Sequence, residues 1–207
     1  MTSYILGMFG IAAFAITGVI SSGKKGMDLF SLVFLGMVTS LGGGTIRDVI
    51  LSMETVYWVK DTSYLWVAAM SSMFAFFAVR VIENREGLFN YADAFGLALF
   101  TVVATERVLL YGFSPTIAIT MGVITGIVGG IIRDVLSHRS PLVLGREFYA
   151  TPAFLGAFLM VILEYSIPDH EFNAIYAVSF IFVLRVLAMK KGLYYPNWLL
   201  YQKKRHD

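Results

Sequence analysis

The stretch LGGGTIRDVIL, residues 41–51, places an arginine and an aspartate directly after three glycines inside an otherwise apolar segment. A second stretch, GIVGGIIRDVLS at residues 126–137, repeats this order of glycine, arginine and aspartate. Glycine weakens a helix, and charged side chains are costly in apolar surroundings. Two copies of the same costly pattern therefore indicate both an unusual helix and a functional role.

The composition around these stretches predicts a membrane protein. Of the 207 residues, 57% are hydrophobic and 14% are charged, whereas soluble domains average about 45–50% and about 25%. The apolar runs are long enough to cross a hydrocarbon core of about 30 Å as helices, and no alternating barrel pattern appears. The first run, within MTSYILGMFG, is preceded by no Lys or Arg. We therefore expect it to be a retained first span and not a cleaved signal peptide.

Short polar or Pro/Gly-bearing connections divide the chain into seven predicted membrane-spanning helices. They cover residues 4–20, 29–51, 63–82, 92–108, 115–136, 149–167 and 173–189. We expect one all-α membrane domain over residues 1–207, ending in a basic cytoplasmic tail at 190–207.

The basic residues predict the orientation of these spans. Eleven lie on the side of the first-second, third-fourth and fifth-sixth loops and the C-terminus, namely Lys24, Lys25, Arg80, Arg85, Arg139, Arg146, Lys190, Lys191, Lys203, Lys204 and Arg205. Lys60 and Arg107 lie on the other side, and the three arginines within or at the ends of spans, Arg47, Arg133 and Arg185, are left out of this count. Because cytoplasmic loops carry the excess of Lys and Arg, we expect the N-terminus outside and the C-terminus in the cytoplasm of an inner or plasma membrane. The basic ends are interpreted as topology anchors, with binding of anionic lipid head groups as the alternative.

The two glycine stretches belong to a longer internal repeat with an offset of 86 residues. GGTIRDVI (43–50) matches GGIIRDVL (129–136), and in the preceding spans Phe9, Gly10, Ala12 and Phe14 match Phe95, Gly96, Ala98 and Phe100. Repeat one covers 4–82 and repeat two covers 90–167, with three spans each. Because three is odd, the second copy enters from the opposite side, which predicts an inverted repeat followed by an unpaired seventh helix at 173–189.

The glycines predict a break in the second and fifth helices. Gly42, Gly43 and Gly44 lie just past the middle of the second span, and Gly129 and Gly130 lie at the matching depth of the fifth. A break there would leave backbone groups unpaired, which is tolerated where the chain is buried in protein or lines a wet cavity. Half-helices would then begin at Thr45 and Ile131, with their N-terminal ends near the midplane. The alternative is that the glycines form a close-packing surface between helices.

The Arg-Asp pairs are the candidate gating residues. Neighbours at i and i+1 on a helix do not face each other, so we expect each of Arg47, Asp48, Arg133 and Asp134 to find a partner on another span, water or a ligand. A structural tie between helices is the alternative. The residues assigned to the pore or its gate are Gly42, Gly43, Gly44, Thr45, Arg47, Asp48, Gly129, Gly130, Arg133 and Asp134. Thr39, Ser40, Thr120 and Thr125 are candidate pore-lining residues, although their hydroxyls could equally bond back to their own helices.

Other polar residues are expected near the membrane interface. Asp93, Glu106 and Arg107 flank the fourth span, and Glu164 and Arg185 lie within a turn or so of an interface, where long side chains extend their charged ends to water.

Several classes of function are not supported by the sequence. No cysteine is present, no His/Asp/Glu cluster has metal-ligand spacing, and no Ser-His pair or phosphate-binding loop lies in a suitable context. We expect no enzyme activity, no cofactor, no fixed metal site and no nucleic-acid partner.

The stretches FGIAAFAITGVISSGKKGMDLFSLVFLGMVTSLGGGTIRDVIL (9–51), DAFGLALFTVVATERV (93–108) and GVITGIVGGIIRDVLSHRSPLVLGREFYA (122–150) resemble one known family. They look like the prokaryotic branch of the trimeric intracellular cation (TRIC) channels, whose duplicated domain is also described as a glycine transporter. The resemblance implies a homotrimer of seven-span protomers, each with its own pore walled by the second and fifth helices. It also implies potassium as the main permeant ion, passing near the glycines.

Three functions follow from these observations. The first is a passive channel for monovalent cations, with membrane lipids and the permeant ions as partners and with the arginines as its gate. The second is a secondary transporter of a small amino acid such as glycine, since half-helix N-termini suit a carboxylate. The third is a membrane assembly scaffold that carries no flux.

Overall fold

The computed structural model describes residues 2–22, 26–79, 85–168 and 170–196. Within them the chain forms eight α-helices: α1 (Thr2–Ser22), α2 (Leu29–Ile50), α3 (Tyr57–Lys60), α4 (Ser63–Ala78), α5 (Arg85–Leu110), α6 (Pro115–Leu136), α7 (Ala150–Ser166) and α8 (Asn173–Lys191). A short 3₁₀ helix, Leu142–Leu144, lies between α6 and α7. The protein is therefore an all-helical bundle, as its composition predicts.

Local signals explain where several helices begin and end. Asp28 caps α2 by accepting a hydrogen bond from Ser31 N at 2.7 Å, and Pro115 occupies the first turn of α6, where a missing N–H costs nothing. α8 ends at Gly192, whose φ of 58° lies in the left-handed region. Glycine adopts that conformation without steric strain, so the chain can leave the helix there.

Seven of the helices lie close to the predicted spans. Five of them, α1, α2, α5, α6 and α8, are long and apolar enough to cross a membrane, whereas α4 and α7 are shorter, with 16 and 17 residues. The predicted end of the third span at residue 82 lies outside the described residues, as do Lys24, Lys25, Arg80 and residues 197–207. α3, a single helical turn of sequence YWVK, was not predicted.

The predicted break at the glycines is wrong: α2 and α6 run through them as continuous α-helices. No half-helix begins at Thr45 or Ile131. A Cβ added to Gly43 would meet the carbonyl oxygen of Thr125, and one added to Gly129 would meet that of Thr39. The glycines thus allow the two helix backbones to touch, and this contact outweighs the roughly 0.5–1 kcal/mol that each glycine costs a helix.

Contacts at the crossing of α2 and α6 occur in pairs with the 86-residue offset. Gly43 contacts Thr125, and Gly129 contacts Thr39. Gly129 is the residue 86 positions after Gly43, and Thr125 is the residue 86 positions after Thr39, so the two contacts are equivalent. A two-fold relation between two helices requires this kind of reciprocity.

The ends of α2 and α6 show the same offset. Ser52 and His138 follow the two helices with φ values of 51° and 48°, both in the left-handed region. Directly after them, Met53 N donates to Asp48 O at 2.9 Å, and Arg139 N donates to Asp134 O at 2.8 Å. At both places the chain turns back over the end of the helix it has just left, and a backbone hydrogen bond joins it to the aspartate of that helix's Arg-Asp motif.

Two pairs of helices build the interior: α1 with α5, and α2 with α6. The two pairs also pack against each other, through α1 and α2 and through α5 and α6. The other long helices lie outside them, with α4 against α1 and α2, and with α7 and α8 against α5. We name the two ends of the bundle after nearby residues: the Tyr57 end, where α1 begins and α2 ends, and the Leu142 end, where α1 and α6 end. The two Arg-Asp motifs lie towards these opposite ends.

Candidate functional site: two buried Arg-Asp motifs

The first motif lies in the last turns of α2, at the Tyr57 end. Arg47 Nε donates to Asp48 Oδ1 at 2.8 Å, and Asp48 Oδ2 accepts from Tyr57 N, the first residue of α3, at 2.9 Å. Arg47 and Asp48 are only 3% and 2% exposed. The expectation that these neighbours cannot pair is wrong, because the arginine stem is long enough to curl back beside the adjacent carboxylate.

The second motif repeats this arrangement in α6, at the Leu142 end. Arg133 Nε donates to Asp134 Oδ1 at 2.9 Å, and Asp134 Oδ2 accepts from Leu142 N at 3.1 Å. Each aspartate therefore joins its arginine to the short helix that follows it in the chain.

Arg133 has additional partners on other helices. Its Nη1 donates to Asp93 Oδ1 of α5 at 2.6 Å and to Thr17 Oγ1 of α1 at 3.1 Å. The Tyr149 hydroxyl donates to the same Asp93 oxygen at 3.4 Å, and the Arg133 guanidinium stacks on Phe89 at 4.5 Å. Asp93 was expected at the membrane interface, but it is wholly buried, because the charge of Arg133 compensates its removal from water.

Arg47 has fewer partners. Its Nη2 lies 2.6 Å from Asp48 Oδ1 but forms no hydrogen bond of acceptable geometry with any described residue. Its guanidinium lies 5.5 Å from the centre of the Tyr57 ring, and Arg107 of α5 lies 5.8 Å from the same ring. Arg107 also donates to the Tyr64 hydroxyl at 3.5 Å.

Two cavities lie next to each other at the Tyr57 end, and Arg47 lines the second of them. The outer one, which we call the vestibule, measures about 640 Å³ and is lined by Tyr4, Met53, Glu54, Thr55, Tyr57, Lys60, Asp61, Tyr64, Arg107 and Tyr111. The second, which we call the inner cavity, measures about 20 Å³, and Gly7, Gly44 and Arg47 are among the residues that line it. Tyr57, Tyr64 and Arg107 line both, so these three side chains form the boundary between vestibule and inner cavity.

Two groups at the vestibule have shifted pKa values. The backbone N–H of Ser63 donates to Asp61 and holds the pKa of that carboxyl below its usual value, so Asp61 keeps a negative charge there. Burial raises the pKa of Tyr57 well above its usual value. The Tyr57 hydroxyl therefore stays protonated, and it has no partner among the described residues.

The candidate pore-lining hydroxyls bond to their own helices. Thr39, Ser40 and Thr125 donate to Leu35 O, Gly36 O and Met121 O at 2.7, 2.9 and 2.6 Å. Thr120 donates to Thr116 O at 2.8 Å and lies on the exposed surface of the protomer. Thr45 donates to Leu41 O and accepts a hydrogen bond from the Trp58 indole at 2.9 Å, which fixes α3 against α2.

The remaining candidate glycines make room for side chains. A Cβ on Gly44 would overlap the Tyr57 ring, and a Cβ on Gly130 would lie 3.2 Å from the Tyr149 hydroxyl. A Cβ on Gly42 would lie 2.8 Å from the tip of the Ile132 side chain. All five glycines of the two motifs thus face neighbouring residues at short range.

Arg185 of α8 was expected at the interface, but it is only 2% exposed. Its Nη1 donates to Phe148 O at 2.7 Å, and its guanidinium lies 4.8 Å from the Tyr149 ring. Long-range contacts of this kind leave no periodic signal in the sequence. No group of three or more His, Cys, Asp or Glu that could hold a metal ion occurs within the described part of the chain.

Comparisons with known proteins agree with this architecture. A family model described as "Glycine transporter" matches the chain twice, at residues 4–80 and 90–165. The chain is 38% identical to the UPF0126 inner membrane protein YadS of Escherichia coli strain K12, over 99% of this chain and all of that protein. It is 46% identical to a UPF0126 membrane protein of Vibrio cholerae over 74% of this chain and 64% of that protein.

A solved structure has the same fold. It is the TRIC trimeric intracellular cation channel orthologue from Rhodobacter sphaeroides, which is 38% identical with a TM-score of 0.88 and aligns over 92% of this chain and 98% of the other. The resemblance seen in the sequence is confirmed by these matches, and the chain belongs to the prokaryotic TRIC channel family, whose repeated domain the glycine transporter model describes.

Proposed function

We propose that the chain is a potassium-permeable channel for monovalent cations, with a pore inside each protomer lined by α2 and α6. The observation that carries this proposal is the pair of buried Arg-Asp motifs towards opposite ends of one helix crossing, with a cavity reaching the first of them. Charged residues inside a membrane segment cost about 2.5–3.5 kcal/mol each and typically mark an ion pathway. The relative from R. sphaeroides is described as a cation channel, which supports the same assignment.

The motifs are proposed to act as gates in series. Arg47 closes the Tyr57 end beneath the vestibule, and Arg133 closes the Leu142 end. Movement of the Arg47 guanidinium towards the vestibule would leave the Asp48 carboxylate facing the path, where it attracts a cation. Because α2 and α6 are continuous, their backbone carbonyls are used within the helices. The permeant ion is therefore proposed to keep water and to interact with side chains.

The arrangement in the membrane follows from the charges and the family. We propose an inverted repeat of three helices each, with the Leu142 end in the cytoplasm and the Tyr57 end outside. We also propose a homotrimer in the inner membrane, because the R. sphaeroides channel is described as trimeric and YadS as an inner membrane protein.

Transport of a small amino acid is the second candidate. The description of the matching family model favours it. A transporter of this kind was expected to bind the carboxylate of its substrate at the N-terminus of a half-helix. The described helices α2 and α6 have no such N-terminus near the glycines, because both are continuous. Saturable uptake of glycine into liposomes would favour this candidate.

Single-channel recording in planar bilayers with a potassium gradient tests the proposal. We expect discrete potassium currents, and we expect Arg47→Ala and Arg133→Ala to change open probability or conductance several-fold. Lys190→Ala is the matched control, since Lys190 is an exposed cation in the last turn of α8. Absence of current from protein that elutes as a folded oligomer, together with glycine uptake against a sodium or proton gradient, would reject the channel. Wild-type currents from both arginine variants would reject the gate.

A further inference from the structure

The surroundings of the two motifs differ at three matched positions. With the 86-residue offset, Asp93 corresponds to Gly7, Thr17 corresponds to Val103, and Ser21 corresponds to Arg107 (93−7, 103−17 and 107−21 all equal 86). The first two differences remove oxygen atoms from the environment of Arg47. The third adds a guanidinium group to it.

The charges in the interior near Arg133 are more than balanced. One guanidinium is in contact with two carboxylates, those of Asp93 and Asp134, for a net charge of −1. The buried Arg185 guanidinium lies 4.8 Å from the nearby Tyr149 ring, but it has its own carboxylate partner in Glu147 at 3.4 Å. Arg139 also stacks on Phe89, but its side chain is exposed to water, which screens its charge.

The charges near Arg47 have the opposite balance. Two guanidinium groups, those of Arg47 and Arg107, stack on Tyr57. Among the described residues, the carboxylate that forms an ion pair with this group is that of Asp48, with Arg47, for a net charge of +1. Arg47 Nη2, although 2.6 Å from Asp48 Oδ1, and the Tyr57 hydroxyl are both buried without a hydrogen bond of acceptable geometry to a described residue. Arg133 Nη2 is in the same state at the other motif, so the difference between the motifs lies in their balance of charge. Buried donors of this kind are costly unless another group accepts from them.

The inner cavity lies where these groups meet. Both arginines, Tyr57, Tyr64 and Gly7 line it, and none of the described residues that line it is acidic. Its volume of about 20 Å³ is enough for one water-sized particle. A Cβ on Gly7 would have only ordinary contacts, at 3.8 and 3.9 Å with Val103 and Tyr64, so the position opposite Arg47 has room for an additional atom.

We propose that a small monovalent anion, chloride or the carboxylate of a small molecule, binds in the inner cavity between Arg47 and Arg107. It takes the place that the Asp93 carboxylate holds beside Arg133. Tyr64 and Tyr149 are the corresponding neighbours, with a slip of one residue from the 86-residue offset. Only the side chains of Tyr57, Tyr64 and Arg107 separate this position from the vestibule, so their movement would admit the anion from the Tyr57 end. The anion accepts from Arg47 Nη2, whose N–H groups make no well-directed hydrogen bond to Asp48, and cancels the excess positive charge.

One consequence extends to ion flow. A bound anion lowers the positive barrier below the vestibule, so potassium currents should be larger in chloride than in gluconate at equal potassium activity. This consequence rests on the proposed channel function. Binding itself does not, so an equilibrium measurement separates failure of the anion site from failure of the channel.

The binding test is thermal unfolding of the purified protein in detergent, followed by circular dichroism at constant potassium concentration. Gluconate is replaced stepwise by chloride in one series and by acetate in a second, and glycine is added to gluconate in a third. We expect a saturable rise in Tm, as a ligand of the folded state produces. A rise with chloride alone identifies a halide, and a rise with acetate or glycine identifies a carboxylate. No saturable rise in any series overturns the proposal.

Variants of Gly7 locate the site. Gly7→Asp supplies the missing carboxylate on the protein, so we expect a higher Tm in gluconate and a half-saturating anion concentration raised about tenfold or more. Gly7→Asn is the matched control, with similar volume and no charge. Its amide fills the same place, so it should also lose the anion response, but without a charge to pair with the arginines it should not raise the Tm in gluconate. Arg107→Gln, which removes the second cation, should weaken binding to a similar extent. A wild-type response in both Gly7→Asp and Arg107→Gln would overturn the proposal.

Discussion

Asp93 illustrates how one carboxylate determines the state of a buried arginine. It lies wholly inside the bundle and accepts hydrogen bonds from Arg133 and Tyr149. Arg133 would otherwise rely on Asp134 and the Thr17 hydroxyl, as Arg47 relies on Asp48. A buried ion pair adds little net stability, but breaking one by removing a partner is strongly destabilising. Without Asp93, Arg133 keeps Asp134 as its counter-charge, but Arg133 Nη1 and the Tyr149 hydroxyl lose the charged oxygen to which they donate.

We therefore predict that Asp93→Asn destabilises the fold by about 3 kcal/mol, the lower end of the range for breaking a buried pair. At about 2–4 °C per kcal/mol for a chain of this size, the Tm should fall by roughly 10 °C. Thermal unfolding in detergent measures this. Glu171→Gln is the control, since Glu171 is exposed and its loss should change the Tm very little. A Tm for Asp93→Asn within the error of the wild type would show that Arg133 does not need this partner.

At the scale of the helices, the short distance between α2 and α6 depends on the glycine of α2 that faces the backbone of α6. Gly43 faces the Thr125 carbonyl, and its neighbour Gly42 faces only the end of the flexible Ile132 side chain. A backbone cannot move without separating the helices, whereas a side-chain tip can rotate away. The two adjacent glycines should therefore respond differently to the same added methyl group.

We predict that Gly43→Ala lowers the Tm, because overpacking costs about 1–3 kcal/mol and exceeds the gain of up to about 1 kcal/mol in helix propensity. Gly129→Ala should behave in the same way, since it meets the Thr39 carbonyl. Gly42→Ala is the matched control and should be neutral or slightly stabilising. Thermal unfolding of the three variants checks this. Equal effects at residues 42 and 43 would contradict the close approach of the two backbones.

At the scale of the whole molecule, the described protomer carries many large apolar side chains on its outside. Examples are Trp66 and Phe74 on α4, Phe154 on α7 and Tyr176 on α8. Such a surface would be unfavourable in water and is suited to lipid or to neighbouring protomers. The charges are unevenly divided between the two ends, which gives the bundle a preferred direction in the membrane.

We predict that the Leu142 end faces the cytoplasm. The chain has no cysteine, so single cysteines report position without background. Thr55→Cys, in the exposed loop at the Tyr57 end, should react with a membrane-impermeant maleimide in intact spheroplasts. Ser140→Cys, in the exposed loop at the Leu142 end, should react only after permeabilisation. The reverse pattern of labelling would show the opposite orientation.

The sequence alone predicted the features that depend on composition and on local pattern. Apolar length placed six helices within about four residues of their observed ends, since a chain in lipid must satisfy its backbone internally. The seventh, α5, begins at Arg85, seven residues before the predicted start at residue 92, because its first two turns carry polar residues. The motif stretches identified the family, which the comparisons confirm. The Arg-Asp motifs were recognised as exceptional because charges in such segments are costly.

Only the tertiary structure decided how the glycines and the charges are used. A run of glycine is compatible with a broken helix or with a close crossing, and the carbonyl of Thr125, more than eighty residues away, selected the crossing. Asp93 and Arg185 lie near predicted helix ends, yet partners from other helices made their burial favourable. Nothing local distinguishes Arg47 from Arg133 within their shared GG-x-x-R-D pattern. The difference arises from Gly7, Val103 and Arg107 on other helices, because electrostatic balance depends on neighbours in space and not on neighbours in sequence.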